Sequence, residues 1–213
     1  MSPSNSPRMR LAGGSRARTT IAAPKGRKTR PTGAKVREAM FAILAKRVEG
    51  ARVLDLFAGS GALGLEAMSR GAASVVFVEN DAGAVMTLRR NAVKVIPDGD
   101  RWRIMPMHAM RALRTLRGVF DIILVDPPYE RGALDELRLM MQKTLLKDEG
   151  IAVIEHASTA KPVLPDSLEV VKQAKYGDTS LTFVVARRGQ PAVEREARVS
   201  RREPKRDSRG ART

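Results

Sequence analysis

The chain has 213 residues, 43% of them hydrophobic and 4% aromatic, enough for one good-sized domain with a core of Ala, Val, Leu, Ile and Met plus terminal extensions. It contains no cysteine, which excludes a disulfide scaffold, a cysteine zinc site and a thiol nucleophile. The net charge of +16 lies wholly at the ends: residues 1–37 carry 10 Lys/Arg and no Asp/Glu, residues 187–213 carry 10 Lys/Arg and 4 Asp/Glu, and residues 38–186 carry 19 of each.

A neutral body with basic ends fits a polyanion-binding protein, because Lys and Arg gain affinity by releasing the counterions condensed on nucleic acid. No apolar run approaches the 18 or so residues of a membrane span, and the N-terminus lacks the apolar stretch of a secretory signal. The expected setting is cytoplasmic, with no membrane partner.

In chain order, Arg8–Gly13 and Arg18–Ala22 read as a short hairpin around Gly13-Gly14-Ser15, followed by a basic loop from Pro24 to Pro31. Val36, Met40, Ile43 and Leu44 recur at helical spacing, predicting a helix from Gly33 to Arg47 with Thr32 as its cap. Val53–Phe57 is a strand ending in glycines, Ala62–Arg70 a helix, Ser74–Glu79 a Val-rich strand and Asp81–Val95 a helix. Arg103–Met107 is a weak strand, Ala109–Leu116 a short helix, Phe120–Asp126 a strongly apolar strand and Gly132–Leu145 a helix. Gly150–Glu155, Leu168–Lys175 and Ser180–Ala186 are the last strands, the final two forming a hairpin around Tyr176-Gly177-Asp178. The alternation implies an α/β fold with a mostly parallel sheet covered on both faces, and the closing hairpin adds an antiparallel edge.

The first long strand runs into Asp55-Leu56-Phe57-Ala58-Gly59-Ser60-Gly61-Ala62-Leu63-Gly64, a G-x-G-x-x-G turn between strand and helix. Such glycines let a ligand lie against bare backbone. Glu79, 18 residues after Gly61, ends the next strand, where a carboxylate accepts ribose hydroxyls. NAD and S-adenosylmethionine both fit that logic, and Asp55 separates them. A carboxylate there repels a pyrophosphate but suits a ligand bearing an amino group and a sulfonium.

Asp126-Pro127-Pro128-Tyr129 follows the apolar strand, at the sheet end where open α/β folds bind ligands. The prolines fix the backbone. An exocyclic amine on a nucleobase is a poor nucleophile because its lone pair is delocalised into the ring. Hydrogen bonds from its two N–H groups to the Asp126 carboxylate and the Pro127 carbonyl would draw the nitrogen toward tetrahedral geometry and free that lone pair. Tyr129 would stack on the base, which must be unpaired or extruded to be reached. These parts together point to an amine methyltransferase.

The sequence resembles the RsmD family of bacterial 16S ribosomal RNA guanine-N2 methyltransferases. The resemblance runs over roughly residues 8–187. It rests on Met9-Arg10-Leu11-Ala12-Gly13, Arg30-Pro31-Thr32 with Val36-Arg37-Glu38 and Phe41, the stretch Leu54–Ala67, Ser69-Arg70-Gly71-Ala72, Phe77-Val78-Glu79, Asp126-Pro127-Pro128-Tyr129 and Tyr176-Gly177-Asp178-Thr179. It implies a class I (Rossmann-like) methyltransferase fold with a seven-stranded sheet and a basic N-terminal β-hairpin. It further implies S-adenosylmethionine as cofactor and a partly assembled 30S subunit as substrate. On these positions the catalytic residues are Asp126, Pro127, Pro128 and Tyr129. The cofactor residues are Asp55, Phe57, Gly59, Ser60, Gly61 and Glu79. His108 stands where the family has Asn or Asp against the adenine amine.

Arg10, Arg16, Arg18, Lys25, Arg27, Lys28 and Arg30 are the expected RNA contacts, positioning the phosphates rather than reading bases. Glu66 and Glu155 receive no acid–base role, and no cluster has metal-ligand spacing. Met105, Met107 and Met110 read as core filler, and Trp102 as packing. The expected organisation is a basic extension over 1–32, a methyltransferase domain over 33–187 and a disordered basic tail over 188–213, in a monomer. The rival readings are an adenine-N6 methyltransferase on DNA or RNA, an NAD-dependent oxidoreductase, and a non-catalytic RNA-binding assembly factor.

Overall fold

In the computed structural model the described residues are 7–23, 31–128 and 132–187. The elements are β1 Arg8–Arg10, β2 Thr20–Ala22, α1 Pro31–Leu44, β3 Arg52–Asp55, α2 Ala62–Ser69, β4 Ser74–Glu79, α3 Ala82–Val95, β5 Trp102–Pro106, α4 Ala109–Thr115, β6 Phe120–Val125, α5 Leu134–Gln142, β7 Leu146–Ala157, β8 Leu168–Tyr176 and β9 Thr179–Ala186. Seven strands form one sheet in the order β5-β4-β3-β6-β7-β9-β8, and β1 and β2 pair separately as an antiparallel hairpin. Each neighbouring pair from β5 to β7 is parallel, whereas β9 is antiparallel to both β7 and β8.

Strand side chains alternate between two cores, which is why both Val53 and Leu54 of β3 are apolar, as is every residue of β6 except Asp121. Val53, Phe77, Ile122 and Leu124 pack under α1, α2 and α3 with Met40, Phe41, Leu65 and Leu88. Leu54, Val78, Ile123 and Val125 face α4 and α5 with Leu113, Leu137 and Met140. Leu11 and Ile21 of the hairpin segment are 2% and 1% exposed and join the first core. The hairpin is therefore part of the packed body and not only a charged appendage. Met105 is buried in the second core, and Trp102 packs against the first while its indole N–H donates to the Ile96 carbonyl at 3.1 Å.

Several boundaries differ from the sequence reading for identifiable reasons. α1 starts at Pro31, so Thr32 lies in its first turn and is not the cap; a proline at the first helical position has no N–H to leave unpaired. The expected helix over Gly132–Leu145 shortens to α5 because Gly132 (φ 65°) and Thr144 (φ 52°) are left-handed at its two ends. β7 begins at Leu146, earlier than Gly150, because Leu146 already pairs with Phe120 of β6 and the polar Lys147–Glu149 stretch spans an irregularity at Phe120/Ile122. Lys147 there bonds Asp121 at 2.8 Å, an interaction with no apolar signature. Among the described residues no helix is long and apolar enough to cross a membrane.

Candidate active site

The chain leaves β3 toward β4 and β5 on one side, then returns to place β6 on the other. That reversal opens a crevice beyond the carboxyl ends of β3 and β6. Asp55 ends β3, Asp126 directly follows β6 and Glu79 ends β4. The topology thus brings together three carboxylates that are 24 to 71 residues apart in sequence.

The glycine turn is built from the backbone outward. Gly59 (φ 55°) and Gly61 (φ 84°) are both left-handed, and Gly61 leads directly into α2. A Cβ on Gly61 would lie 2.2 Å from Leu88 Cδ1, whereas one on Gly59 would meet nothing within 4 Å. Gly61 is thus dictated by packing as well as by φ, and Gly59 leaves open space beside the turn. Glu79 latches this turn: its Oε2 accepts the Gly59 N–H at 2.7 Å, and its Oε1 accepts the Asn80 and Asp81 N–H groups at 2.8 Å each. Three of about four lone-pair positions are therefore already used. The expected ribose contact has the remaining one, and in this structure Glu79 shapes the turn.

Asp55 is 1% exposed. Its Oδ2 accepts the Gly64 N–H at 2.9 Å, while Oδ1 is buried without a hydrogen-bond partner among the described residues. Burial raises its carboxyl from 3.8 to about 7, with further upward pushes from Asp126 and Glu79 and a downward one from the Gly64 N–H. A buried carboxyl with an idle oxygen and two like-charged neighbours is electrostatically favourable to a positive charge beside it. This observation fits S-adenosylmethionine, whose amino group and sulfonium are positive, and disfavours a pyrophosphate.

Phe57 is half-buried, and Ser60 is buried with its carbonyl receiving a hydrogen bond from the Asn91 amide at 2.9 Å. His108 precedes α4, with Nδ1 3.2 Å from Asn80 Nδ2. Asn80, which the sequence reading did not single out, is thus the side chain that meets the His108 ring. Pro127 is buried and Pro128 exposed; Tyr129 lies outside the described residues.

Of the expected RNA contacts, Arg10, Arg16 and Arg18 are exposed on the hairpin, while Lys25, Arg27, Lys28 and Arg30 lie outside the described residues, as does the 188–213 tail. Arg8 is equally exposed on the same hairpin. Arg37, by contrast, is 6% exposed, with Nε 3.3 Å from Glu66 Oε2 and Nη2 donating to the Arg10 carbonyl at 2.7 Å.

Glu66, which spacing alone left without a role, is the hub that holds the hairpin. Fully buried, it accepts the Ala12 and Gly13 N–H groups at 2.7 and 2.8 Å and pairs with Arg37 and Arg70. Ser69, one turn further along α2, donates to the Gly13 carbonyl and receives the Arg16 N–H at 3.0 Å.

Against known proteins, the family described as "Conserved hypothetical protein 95" matches residues 9–185. The Ribosomal RNA small subunit methyltransferase D of Escherichia coli strain K12 is 33% identical over 179 residues, covering 83% of this chain and 89% of that protein. The protein of the same name from Buchnera aphidicola of Acyrthosiphon pisum is 32% identical over 146 residues, covering 68% and 75%. Among solved structures, yhhF from Escherichia coli aligns with a TM-score of 0.75 at 32% identity, covering 85% of this chain and all of that one. SMU.776, solved in complex with SAH, shares the fold at a TM-score of 0.66 and 13% identity, covering 86% of this chain and 57% of that one. The chain belongs to the Conserved hypothetical protein 95 family, the RsmD family that its motifs resemble.

Proposed function

We propose that this chain methylates the exocyclic N2 amine of a guanine in 16S ribosomal RNA, with S-adenosylmethionine as methyl donor. The observation that carries the reading is the placement of Asp126-Pro127 directly after β6, across the switch point from the buried, half-satisfied carboxylate of Asp55. The small-subunit methyltransferases to which the chain is similar support ribosomal RNA as the substrate. S-adenosylmethionine supplies an electrophilic methyl group on a sulfonium. Asp55 and the Gly59–Gly61 turn would hold it, with Phe57, Glu79 and His108 along its adenosine side.

The chain's own part is to make a weak nucleophile attack. Asp126 accepts one N–H of the amine and the Pro127 carbonyl accepts the other, which localises the nitrogen lone pair and aims it at the cofactor. Tyr129 stacks on the base and fixes its plane. As the new N–C bond forms, the nitrogen sheds a proton to Asp126 or to water. The exposed arginines of the hairpin neutralise phosphates and hold a partly assembled subunit in register.

The test is transfer of labelled methyl to unmethylated 30S particles, naked 16S RNA and duplex DNA, followed by digestion to nucleosides. The reading requires N2-methylguanosine from a ribosomal substrate. N6-methyladenosine would overturn the base assignment while keeping the chemistry. Cofactor binding without any product would move the protein to a non-catalytic assembly role.

A further inference from the structure

One buried side chain joins the hairpin to the glycine turn. Asn91 sits on α3 at 4% exposure. Its Oδ1 accepts the Ala22 N–H, and its Nδ2 donates both to the Ala22 carbonyl and to the Ser60 carbonyl, each at 2.9 Å. The amide can sit only one way round, because a flipped group would set NH2 against the Ala22 N–H and oxygen against two carbonyls. Asn91 thus completes the open edge of β2 as another strand would, and spends its remaining donor between Gly59 and Gly61. Both of its donors are used, so movement of either partner strands a buried polar group on the other.

The other attachments of the hairpin do not reach the turn directly. Glu66 and Ser69 tie residues 12–16 to α2, and Lys94 Nζ donates to the Thr20 carbonyl at 2.6 Å on the exposed side of α3. Only Asn91, among the hydrogen bonds described, touches both the hairpin and the backbone of the turn.

We propose that Asn91 is a positioning residue that couples the two: RNA held by the hairpin fixes Ala22, Asn91 and the Ser60 carbonyl in sequence, and the ordered turn then binds cofactor more tightly. The reverse effect must be equal, since a coupling between two binding sites is reciprocal. The coupling acts by ordering, so the second ligand loses less freedom than the first. The inference rests on the reading of the hairpin as an RNA surface and the turn as the cofactor site.

The first experiment needs neither RNA nor a variant. Hydrogen exchange of the Ala22 amide reports its bond to Asn91, and SAH binding at the turn should slow it about fivefold or more, the low end of ordinary couplings. No slowing overturns the proposal. The second measures SAH affinity with and without naked 16S RNA. RNA should tighten SAH by a similar factor in the unmutated protein. In Asn91→Asp, which keeps the shape but removes both donors, the ratio should fall to about one, and SAH should no longer protect Ala22. Lys94→Ala loosens the same helix–hairpin seam without touching Ser60, and should keep the ratio. A merely structural Asn91 would lower stability in Asn91→Asp and leave the ratio unchanged, which overturns the proposal. Should Asn91→Asp not fold, the exchange result and the Lys94→Ala ratio still decide. If the RNA does not bind at all, the RNA reading fails separately, while Ala22 exchange still judges the coupling.

Discussion

Replacing Asp55 by Asn should stabilise the cofactor-free protein at neutral and alkaline pH while weakening its hold on S-adenosylmethionine. An exposed aspartate ionises near 3.8, whereas burial moves Asp55 to about 7. Between those values the native state keeps a proton that the unfolded chain has released. Stability therefore falls as pH rises through that window, and the whole cost is present above pH 7. A shift of about 3 units corresponds to roughly 4 kcal/mol. Asp55→Asn keeps an oxygen for the Gly64 N–H and removes the ionisation. It also sets an amide where Oδ1 had no partner, an offset of about 1 kcal/mol that does not vary with pH. Urea unfolding at pH 8 should thus find the variant more stable by about 3 kcal/mol, and near pH 3 the order should reverse, leaving the variant less stable by about 1 kcal/mol. Cofactor affinity reads the same carboxylate in the opposite sense. If the cation binds ionised Asp55, the unmutated protein should lose about tenfold in affinity from pH 8 to pH 6 relative to Asp55→Asn. The variant carries the ligand's own titration, so the ratio isolates Asp55. Parallel stability curves for the two proteins from pH 3 to pH 8 would refute the argument that the site holds an uncompensated carboxylate.

Three further outcomes follow from the geometry. Asp126→Ala should lower kcat by at least about 100-fold, since a displaced amine forfeits its alignment, with cofactor affinity measured by calorimetry nearly unchanged; equal loss of both would assign Asp126 to cofactor binding. Replacing Arg8, Arg10, Arg16 and Arg18 together by Ala should flatten the log–log salt dependence of RNA affinity by about 0.7–0.9 for each phosphate left without its arginine. Residues 1–30 cannot simply be deleted for this purpose, because Leu11 and Ile21 belong to the core; a slope that does not move with the four substitutions would remove the hairpin from the interface. Glu66→Gln leaves the Arg37 and Arg70 charges without their buried partner and should cost about 3 kcal/mol in urea unfolding, with residues 8–22 the first to lose exchange protection. A cost below about 1 kcal/mol would mean that the hairpin is held by its apolar packing instead.

The parts of this molecule that could be read from sequence are those whose physics is local. The β4 strand emerged with its observed limits because six residues suffice to show its Val-rich pattern. The glycine turn was legible because a left-handed backbone and a close ligand approach restrict residue type position by position. Asp126-Pro127 was legible because two prolines after an apolar strand admit few conformations. What stayed hidden depends on partners far along the chain. Glu66 on its own helix looks like any carboxylate in an apolar stretch, and its meaning comes from backbone N–H groups 53 and 54 residues earlier. Asn91 reads as an ordinary polar position on α3, yet its three bonds go to residues 31 and 69 positions away. Backbone groups carry no sequence signature, so a side chain such as Asn91, whose described partners are all backbone, cannot be found by periodicity or residue type. A buried polar residue on a helix face that should be apolar is still a usable signal. At Glu66 and Asn91 that violation marks the seam where the basic hairpin meets the helices that flank the glycine turn.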